Sequence, residues 1–569
     1  MTYFFKEFEH VLEVASLENR FLELLNAPLE TVQDMENWLL EYSILIEEIY
    51  ETTIGHKIDF YLDTNDIHKK QKMMFDQEYI IPIMQKYSHM IDKRFIEHSL
   101  IVQLDVNQYS TYILRKRNTV SIYQDKNIEK QIEIEKLIAQ YVELVNKINV
   151  KWDDEELPMF QVNRFLSSED RELRKSAWFS IQKAQLNVKD EFEDLFQSLL
   201  EIRNHIAQNS GFVNYRDFAF RKLERFDYDA DYCVYLANII RKCVVPLKQI
   251  IDKSIMEKLG LESYKPWDLL APIPNNTPAY PFNSSVEMLE RGKNIFKQID
   301  SSLLAMYEEM LENNFYDLEP RVGKSPGAYC LPMFRSKHSF FVMNLTDNPS
   351  NIRTFVHEIG HSFHNWLMKD IPLSLYRFPT MEIAEFASMT MEYLTLDYWN
   401  EFYLNEKEFM LSKKMQLETF ITFLSTGIVT DLFQHWIYEN PLHTVQDRND
   451  KFIELSLQFY ASSIDYSNIE YTLSNRWLQM RHIYESPFYS IEYIIANIAA
   501  VEMYRQFRQD KEGTIYRFKK ALSLGSSVSM SEVYKTAGVS LHVTEKKLEQ
   551  LIEFVQSELI EINKMLEKE

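Results

Sequence analysis

The chain has 569 residues, of which 46% are hydrophobic and 26% are charged, and its formal net charge is −23. This length and composition suit a soluble globular protein with more than one core, and the negative charge argues against binding to a nucleic-acid backbone. Only 11 residues are glycine, which favours long helices with few tight turns. We therefore predict a mainly α fold.

Cysteine usage and hydropathy predict the compartment. Cys233, Cys243 and Cys330 lie far apart and show neither metal-site nor disulfide spacing, which suits a reducing compartment. Residues 1–10 carry charge too early for a signal peptide, and no run approaches the roughly 18 uncharged apolar residues of a membrane span. We expect a cytoplasmic protein that does not enter a membrane.

The first 165 residues contain a single glycine, Gly55, and their apolar residues recur at helical spacing. This periodicity predicts helices at about 4–26, 30–52, 64–88, 92–118 and 126–148. No catalytic cluster is evident among them. We predict that residues 1–165 form an α-helical N-terminal lobe.

A long helical region is predicted downstream at about 167–209, and further helices at about 229–259 and 285–313. Turn residues from Gly323 to Cys330 then lead into an apolar run, Ser339–Leu345, which predicts a small β-sheet. An edge strand of this sheet could bind an extended peptide by strand addition, or the strands could form a plain structural hairpin.

The most informative motif follows that sheet, where His357-Glu358-Ile-Gly-His361 matches His-Glu-x-x-His. The residues Asp347-Asn348-Pro349 predict the start of a helix that carries it. On a helix the two histidines project from one face, where they can bind one Zn²⁺, and Glu358 lies beside them as a general base. Gly360 predicts close approach of a neighbouring helix, and we expect His364 to pack near the site without binding metal.

A third metal ligand is expected from the next predicted helix, at about 380–402. It offers three glutamates, and their spacing allows any of them: Glu382, Glu385 and Glu392. Glu385 lies 24 residues after His361, which leaves room for a loop and an antiparallel return. Glu392 lies two turns beyond Glu385 and could instead orient a ligand.

Taken together, these motifs resemble the thimet oligopeptidase family of zinc peptidases, and more closely its bacterial branch, oligoendopeptidase F and Pz-peptidase. The matching segments are His357–His364, Ala384–Ser388, Arg221–Tyr228, Gly323–Cys330, Ala521–Gly525 and Lys535–Ser540. The resemblance implies a multi-helical, two-lobed metallopeptidase with a deep central channel and a small β-sheet next to the His-Glu-x-x-His helix. Residues 166–569 would form the catalytic zinc metallopeptidase domain.

The resemblance also implies roles for individual residues. It implies one Zn²⁺ per chain, held by His357, His361 and Glu385, with Glu358 as the base. A histidine and tyrosines further along the chain would stabilise the tetrahedral intermediate, and they match His482, Tyr489 and Tyr493. The two tyrosines share one face of a helix predicted to begin at Ser486-Pro487, and Ala496 replaces a third tyrosine that animal members carry.

We therefore predict a zinc-dependent oligoendopeptidase that hydrolyses internal bonds of short unfolded peptides through a metal-activated water. A carboxypeptidase with the same ligands is an alternative, in which Arg481 or Lys324 would bind the terminal carboxylate. A zinc-stabilised peptide-binding protein without turnover is a third reading. The glutamate beside the histidines argues against it, since a structural zinc site has no use for a base.

Overall fold

The computed structural model describes residues 13–273, 278, 280–346, 348–403 and 405–568. The described chain is mainly α-helical, as predicted, and it divides into two compact units. Unit 1 is drawn from Met1–Ser121, Ala279–Phe409 and Ile495–Leu541, and unit 2 from Ile122–Pro278, Met410–Ile494 and His542–Glu569. The predicted division at residue 165 stays a prediction. Within the described ranges, every helix is too short or too polar to span a lipid bilayer.

The helices of the first half of the chain are α1 (Val14–Asn26), α2 (Val32–Leu62), α3 (Ile67–Phe75), α4 (Ile81–Glu97), α5 (Val106–Ile122), α6 (Ile128–Asn146), α7 (Met159–Asn163), α8 (Arg171–Asn187), α9 (Lys189–Asn209), α10 (Tyr215–Lys222), α11 (Ala230–Cys243) and α12 (Val245–Lys258). Those that follow are α13 (Ser285–Ile299), α14 (Ser301–Glu312), α15 (Asn351–Met368), α16 (Met381–Leu394), α17 (Glu406–Glu439), α18 (Val445–Gln458), α19 (Glu470–Ser474), α20 (Arg481–Glu485), α21 (Ser490–Phe507), α22 (Lys511–Leu522), α23 (Met530–Ala537) and α24 (Glu545–Leu566). The strands are β1 (Asn149–Trp152), β2 (Glu155–Pro158), β3 (Tyr316–Asp317), β4 (Tyr329–Met333) and β5 (His338–Val342).

The N-terminal helices are present, but their bounds differ from the prediction. The part of the first predicted helix at 4–12 lies outside the described residues. So do residues 1–10, whose early charges argue against a signal peptide. The helix predicted at 30–52 continues to Leu62, and the one predicted at 92–118 begins only at Val106. Between them α3 and α4 are joined by a π-helical turn, Asp76–Ile80. Pro82 follows this turn and has no N–H to donate, which suits a local change of hydrogen-bond register.

Two helices that were predicted as continuous are each broken in two. The segment 229–259 is interrupted at Val244, just before Pro246, which cannot donate a backbone hydrogen bond. The segment 285–313 is interrupted at Asp300, which is extended and whose carboxylate accepts hydrogen bonds from two backbone N–H groups of α14. A capping aspartate favours the start of a new helix over continuation of the old one.

The predicted small sheet next to the helix with the His-Glu-x-x-His motif, α15, is confirmed. Strand β5 is central, pairs antiparallel with β4 and parallel with β3, and lies against α15 together with β4. The hairpin β1–β2 was not predicted. Its turn has positive φ at both Asp153 and Asp154. This pair of aspartates was the sign of a hairpin in the sequence, but the flanking strands are too short to show alternation of apolar and polar residues.

Helices α15 and α16 pack closely together at Gly360. A Cβ atom on this glycine would lie 2.6 Å from Ser388 Cα and 3.0 Å from the Ala387 carbonyl oxygen, so the predicted close approach is confirmed. Helix α15 begins at Asn351, and Pro349 precedes it instead of occupying its first turn. Asp347, the predicted cap, lies outside the described residues.

Candidate metal centre

Three side chains of unit 1 converge between α15 and α16. His357 and His361 lie one turn apart on α15, and Glu385 faces them from α16. Glu385 Oε2 lies 3.4 Å from His357 Nε2 and 3.9 Å from His361 Nε2. One ligand atom from each residue therefore lies within 4.8 Å of the others. The close packing at Gly360 is what brings the two helices near enough for this arrangement.

This donor set fits a zinc ion. Two imidazole nitrogens and a carboxylate oxygen around a tetrahedral ion with bonds of roughly 2.0–2.1 Å would lie roughly 3.4 Å apart, close to the separations observed. Burial lowers the pKa of His361 to about 4, so its ring is neutral, which is the form that binds metals. Burial also lowers the pKa of His357, but hydrogen bonds to Glu385 and Glu392 outweigh it and raise that pKa well above its ordinary value. The surroundings of His357 therefore favour positive charge.

The three candidate glutamates of α16 lie in different places. Glu385 faces both Nε2 atoms, while Glu392 Oε1 lies 2.7 Å from the other ring nitrogen of His357, Nδ1. A carboxylate on Nδ1 holds the ring with Nε2 directed towards Glu385. Glu382 is buried outside this group, where its carbonyl oxygen accepts a hydrogen bond from Tyr534.

Glu358 and His364 are buried beside the centre. Burial and the charges of Glu385 and Glu392 raise the pKa of Glu358 to about 7, against the opposing effect of His357. Its Oε2 atom has no hydrogen bond within the described part of the chain. Burial lowers the pKa of His364 to about 3, and this residue is not part of the group of converging ligand atoms. Glu358 is therefore a carboxyl group that can change protonation near neutral pH.

Strand β4 contacts helix α15, which carries His357 and His361, through Cys330. Its Sγ atom lies 3.2 Å from Ser362 Oγ on α15, and Asn365 of the same helix donates to Ser339 Oγ on β5 at 2.9 Å. Burial raises the pKa of Cys330 to about 12, so the thiol is neutral. These contacts hold β4, an edge strand of its sheet, alongside the helix that carries both histidines.

The remaining predicted site residues form a cluster of their own in unit 2. The ring centroid of His482 lies 5.1 Å from that of Tyr489 and 5.9 Å from that of Tyr493, and the two tyrosine rings are 4.8 Å apart. Tyr489 lies in the turn before α21, which begins at Ser490 and not at the predicted Ser486-Pro487.

Two buried arginines and a glutamine support this segment, and their role was not predicted. Arg203 Nη1 donates to the Ile483 carbonyl at 3.1 Å, and Arg225 Nη2 donates to the Phe488 carbonyl at 2.6 Å. Gln434 accepts the Phe488 N–H at 2.9 Å. Phe488 has φ 68°, an uncommon value for this residue type, so these bonds hold a strained turn directly before Tyr489. Arg225 belongs to a motif noted in the sequence, but nothing local indicated its partners.

The two cations considered for a terminal carboxylate differ in their surroundings. Lys324 Nζ is buried and contacts four oxygens: the Asp317 carboxylate and the carbonyls of Asp317, Glu319 and Met343, at 2.7–3.1 Å. Arg481 is exposed and pairs with Glu485 at 2.6 Å. Lys324 therefore already has a full set of acceptors.

Comparison with known proteins agrees with these features. The model of peptidase family M3 matches residues 164–552. Oligoendopeptidase F, chromosomal, of Lactococcus lactis subsp. cremoris is 24% identical over 414 residues, and Oligopeptidase PepF of Bacillus subtilis is 24% identical over 413. Each match covers 71% of this chain, but only 65% and 59% of those two proteins. An Oligoendopeptidase F homolog of Borreliella burgdorferi is 22% identical and is matched over 99% of this chain and 94% of its own length.

Solved structures share the fold. The structure of Pz peptidase A with inhibitor 2 has a TM-score of 0.88 at 24% identity, covering 96% of this chain and 97% of its own. Oligoendopeptidase-F from Enterococcus faecium has a TM-score of 0.66 at 16% identity, covering 99% of both chains. The family match over most of the chain and these relatives confirm the resemblance seen in the motifs: the chain belongs to peptidase family M3, in its oligoendopeptidase F branch.

Proposed function

We propose that this protein is a zinc-dependent oligoendopeptidase that hydrolyses internal bonds of short, unfolded peptides. The observation that carries the proposal is the convergence of His357, His361 and Glu385 next to the buried carboxyl group of Glu358. Three protein ligands leave one position open, which is the arrangement of catalytic zinc sites, whereas structural sites are usually closed by four. The names of the relatives, oligoendopeptidase and oligopeptidase, support the same substrate class.

Glu358 is proposed as the general base. A zinc ion held by the three ligands would supply Lewis-acid chemistry that makes a water acidic near neutral pH. The Glu358 carboxylate then accepts the proton that the water loses as its oxygen attacks the scissile carbonyl carbon. When the C–N bond breaks, the same carboxyl group returns this proton to the leaving amine. A pKa of about 7 suits a group that must both accept and donate a proton near neutral pH.

His482, Tyr489 and Tyr493 are proposed as hydrogen-bond donors to the oxyanion of the tetrahedral intermediate. Their mutual packing and the rigid support of their backbone favour preorganised donors, which need no rearrangement during the reaction. Strand β4 is proposed to bind the substrate backbone by strand addition, because it is an edge strand, is partly exposed and is attached to α15.

Two alternatives are less well supported. A carboxypeptidase needs an available cation for the terminal carboxylate, and Lys324 is already surrounded by oxygens, which leaves the exposed Arg481. A peptide-binding protein without turnover would have no need of the buried Glu358 beside the ligands. The cytoplasmic location is part of the same proposal.

Product mapping from a peptide of about ten residues, blocked at both ends, tests the proposal. We expect mass spectrometry to find internal cleavage by the zinc-loaded protein, loss of cleavage after chelation, and recovery on adding zinc. Release of single C-terminal residues, seen only when the C-terminus is unblocked, would favour the carboxypeptidase. No cleavage of any peptide by protein that holds zinc would overturn the enzymatic reading.

A further inference from the structure

A second group of metal-binding side chains lies within unit 2. Asp431 and His435 are four residues apart on α17, so they project from one face of that helix, and Cys233 of α11 meets them. One ligand atom from each of the three lies within 4.8 Å of the others. None of the three belongs to the proposed peptidase site.

All three residues are almost completely buried, with exposed fractions of 0% for Cys233, 0% for Asp431 and 3% for His435. Among the described residues, neither carboxylate oxygen of Asp431 and neither ring nitrogen of His435 has a hydrogen-bond partner. Asp431 Oδ2 and His435 Nε2 are 3.3 Å apart. The rings of Phe220 and Phe488 pack edge-on against the imidazole. Polar atoms this deep, with apolar rings beside them, are unfavourable to bury unless something compensates them.

We propose that Cys233, Asp431 and His435 form a second metal site that binds a divalent zinc-like cation. Thiolate and imidazole donors select zinc among the common cellular cations, and an oxygen donor is compatible with it. A thiolate and a carboxylate together balance the double positive charge of the ion, so the loaded site is neutral, as a buried site should be. The ion would bind an oxygen of Asp431 and a ring nitrogen of His435, atoms that have no hydrogen-bond partner among the described residues.

The site is inferred to be structural. It joins α11 to α17 through Cys233 and Asp431, which are 198 residues apart in the sequence. Binding there stabilises the folded unit because the unfolded chain does not hold the three donors together. Its donor set differs from that of the first centre by one feature that can be measured: a cysteine sulfur. Cobalt bound by a thiolate has a near-ultraviolet charge-transfer absorption that cobalt bound only by nitrogen and oxygen does not have.

The test is to load the full-length protein with Co²⁺ after chelation and to record its absorption and its metal content per chain. We expect two cobalt ions per chain and a thiolate charge-transfer band. A His357→Ala/His361→Ala variant, which lacks two donors of the first centre, should retain one ion and the full band. This readout does not depend on peptidase activity, so it stands or falls separately from the proposed function.

Three cysteine substitutions identify which cysteine gives rise to the charge-transfer band. Cys233→Ser should abolish it, while Cys243→Ser, at a half-buried cysteine outside the cluster, and Cys330→Ser, beside α15, should leave it unchanged. Absence of the band in wild-type protein would overturn the proposal without any variant, even if Cys233→Ser does not fold. A band that persists in Cys233→Ser would also contradict it and leave Asp431 and His435 as a buried ion pair.

Discussion

Glu385 and Glu392 lie two turns apart on α16, yet they face opposite nitrogens of one histidine. Glu385 Oε2 lies 3.4 Å from His357 Nε2, and Glu392 Oε1 lies 2.7 Å from Nδ1. A carboxylate on Nδ1 fixes the orientation of the ring and makes Nε2 a stronger donor to a cation. The two glutamates therefore have separate proposed tasks, one as ligand and one as support.

Replacing the supporting carboxylate should weaken zinc binding without removing a ligand. We expect Glu392→Ala to lower zinc affinity by about 10–100-fold, because the His357 ring loses its hydrogen-bond partner. Glu392→Gln, which keeps an acceptor oxygen, should lose less. Competition with a chelator of known affinity measures both variants against wild type. Unchanged affinity in Glu392→Ala would mean that the ring is oriented by something else.

The sequence was compatible with any of three glutamates as the third metal ligand, and the reason for this ambiguity is geometric. Residues 382, 385 and 392 all lie within one helix, and spacing alone does not say how that helix is rotated against α15. The rotation is determined by tertiary packing, with Gly360 against the backbone of Ser388. The two histidines, by contrast, were predictable because their relation is local to one helix.

At the level of elements, the contact between α15 and α16 determines the distance between the proposed ligands. We expect Gly360→Ala to destabilise the protein by about 1–3 kcal/mol and to weaken zinc binding, because the new methyl group would lie 2.6 Å from a backbone atom of α16. Gly427→Ala is the matched control. It also lies within a helix, but the atoms nearest to its methyl group would be side-chain atoms, of Ile494 at 3.4 Å and of Phe423 at 3.9 Å.

The control should be neutral or stabilising by up to about 1 kcal/mol, as alanine is favoured over glycine in helices. Thermal unfolding and zinc titration compare the two variants. If Gly360→Ala is as stable as Gly427→Ala and binds zinc normally, the helices can separate at no cost and their contact at Gly360 does not determine the distance between the ligands.

The turn before Tyr489 depends on a buried ion pair. Arg225 and Glu492 are 2.7 Å apart with side chains 0% and 1% exposed, and Arg225 also donates to the Phe488 carbonyl. We expect Arg225→Ala to destabilise the protein by about 3–5 kcal/mol, since it leaves a buried carboxylate without its cation. Arg481→Ala is the control, because that arginine is 70% exposed and its pair with Glu485 should contribute at most about 1 kcal/mol. Urea unfolding that ranks the two variants equally would contradict this account.

Across the whole molecule, local signals predicted more than distant ones. The helical class, the sheet beside α15 and the closeness of Gly360 to a neighbour followed from composition, turn residues and spacing. The helix breaks at Val244 and Asp300 were missed because the helical spacing of apolar residues continues across them. The cluster of Cys233, Asp431 and His435 was missed for another reason. Its members lie on two helices far apart in the sequence, and only folding brings them together.

The most direct test of the proposed chemistry compares wild type with Glu358→Gln on an end-blocked peptide, with zinc content measured for both proteins. Glutamine keeps the size of the side chain but cannot accept the proton from water. We predict that the variant holds as much zinc as wild type and cleaves the internal bond about 10²–10⁴-fold more slowly. A zinc-loaded Glu358→Gln protein that cleaves the peptide at the wild-type rate would contradict the assignment of this residue as the base.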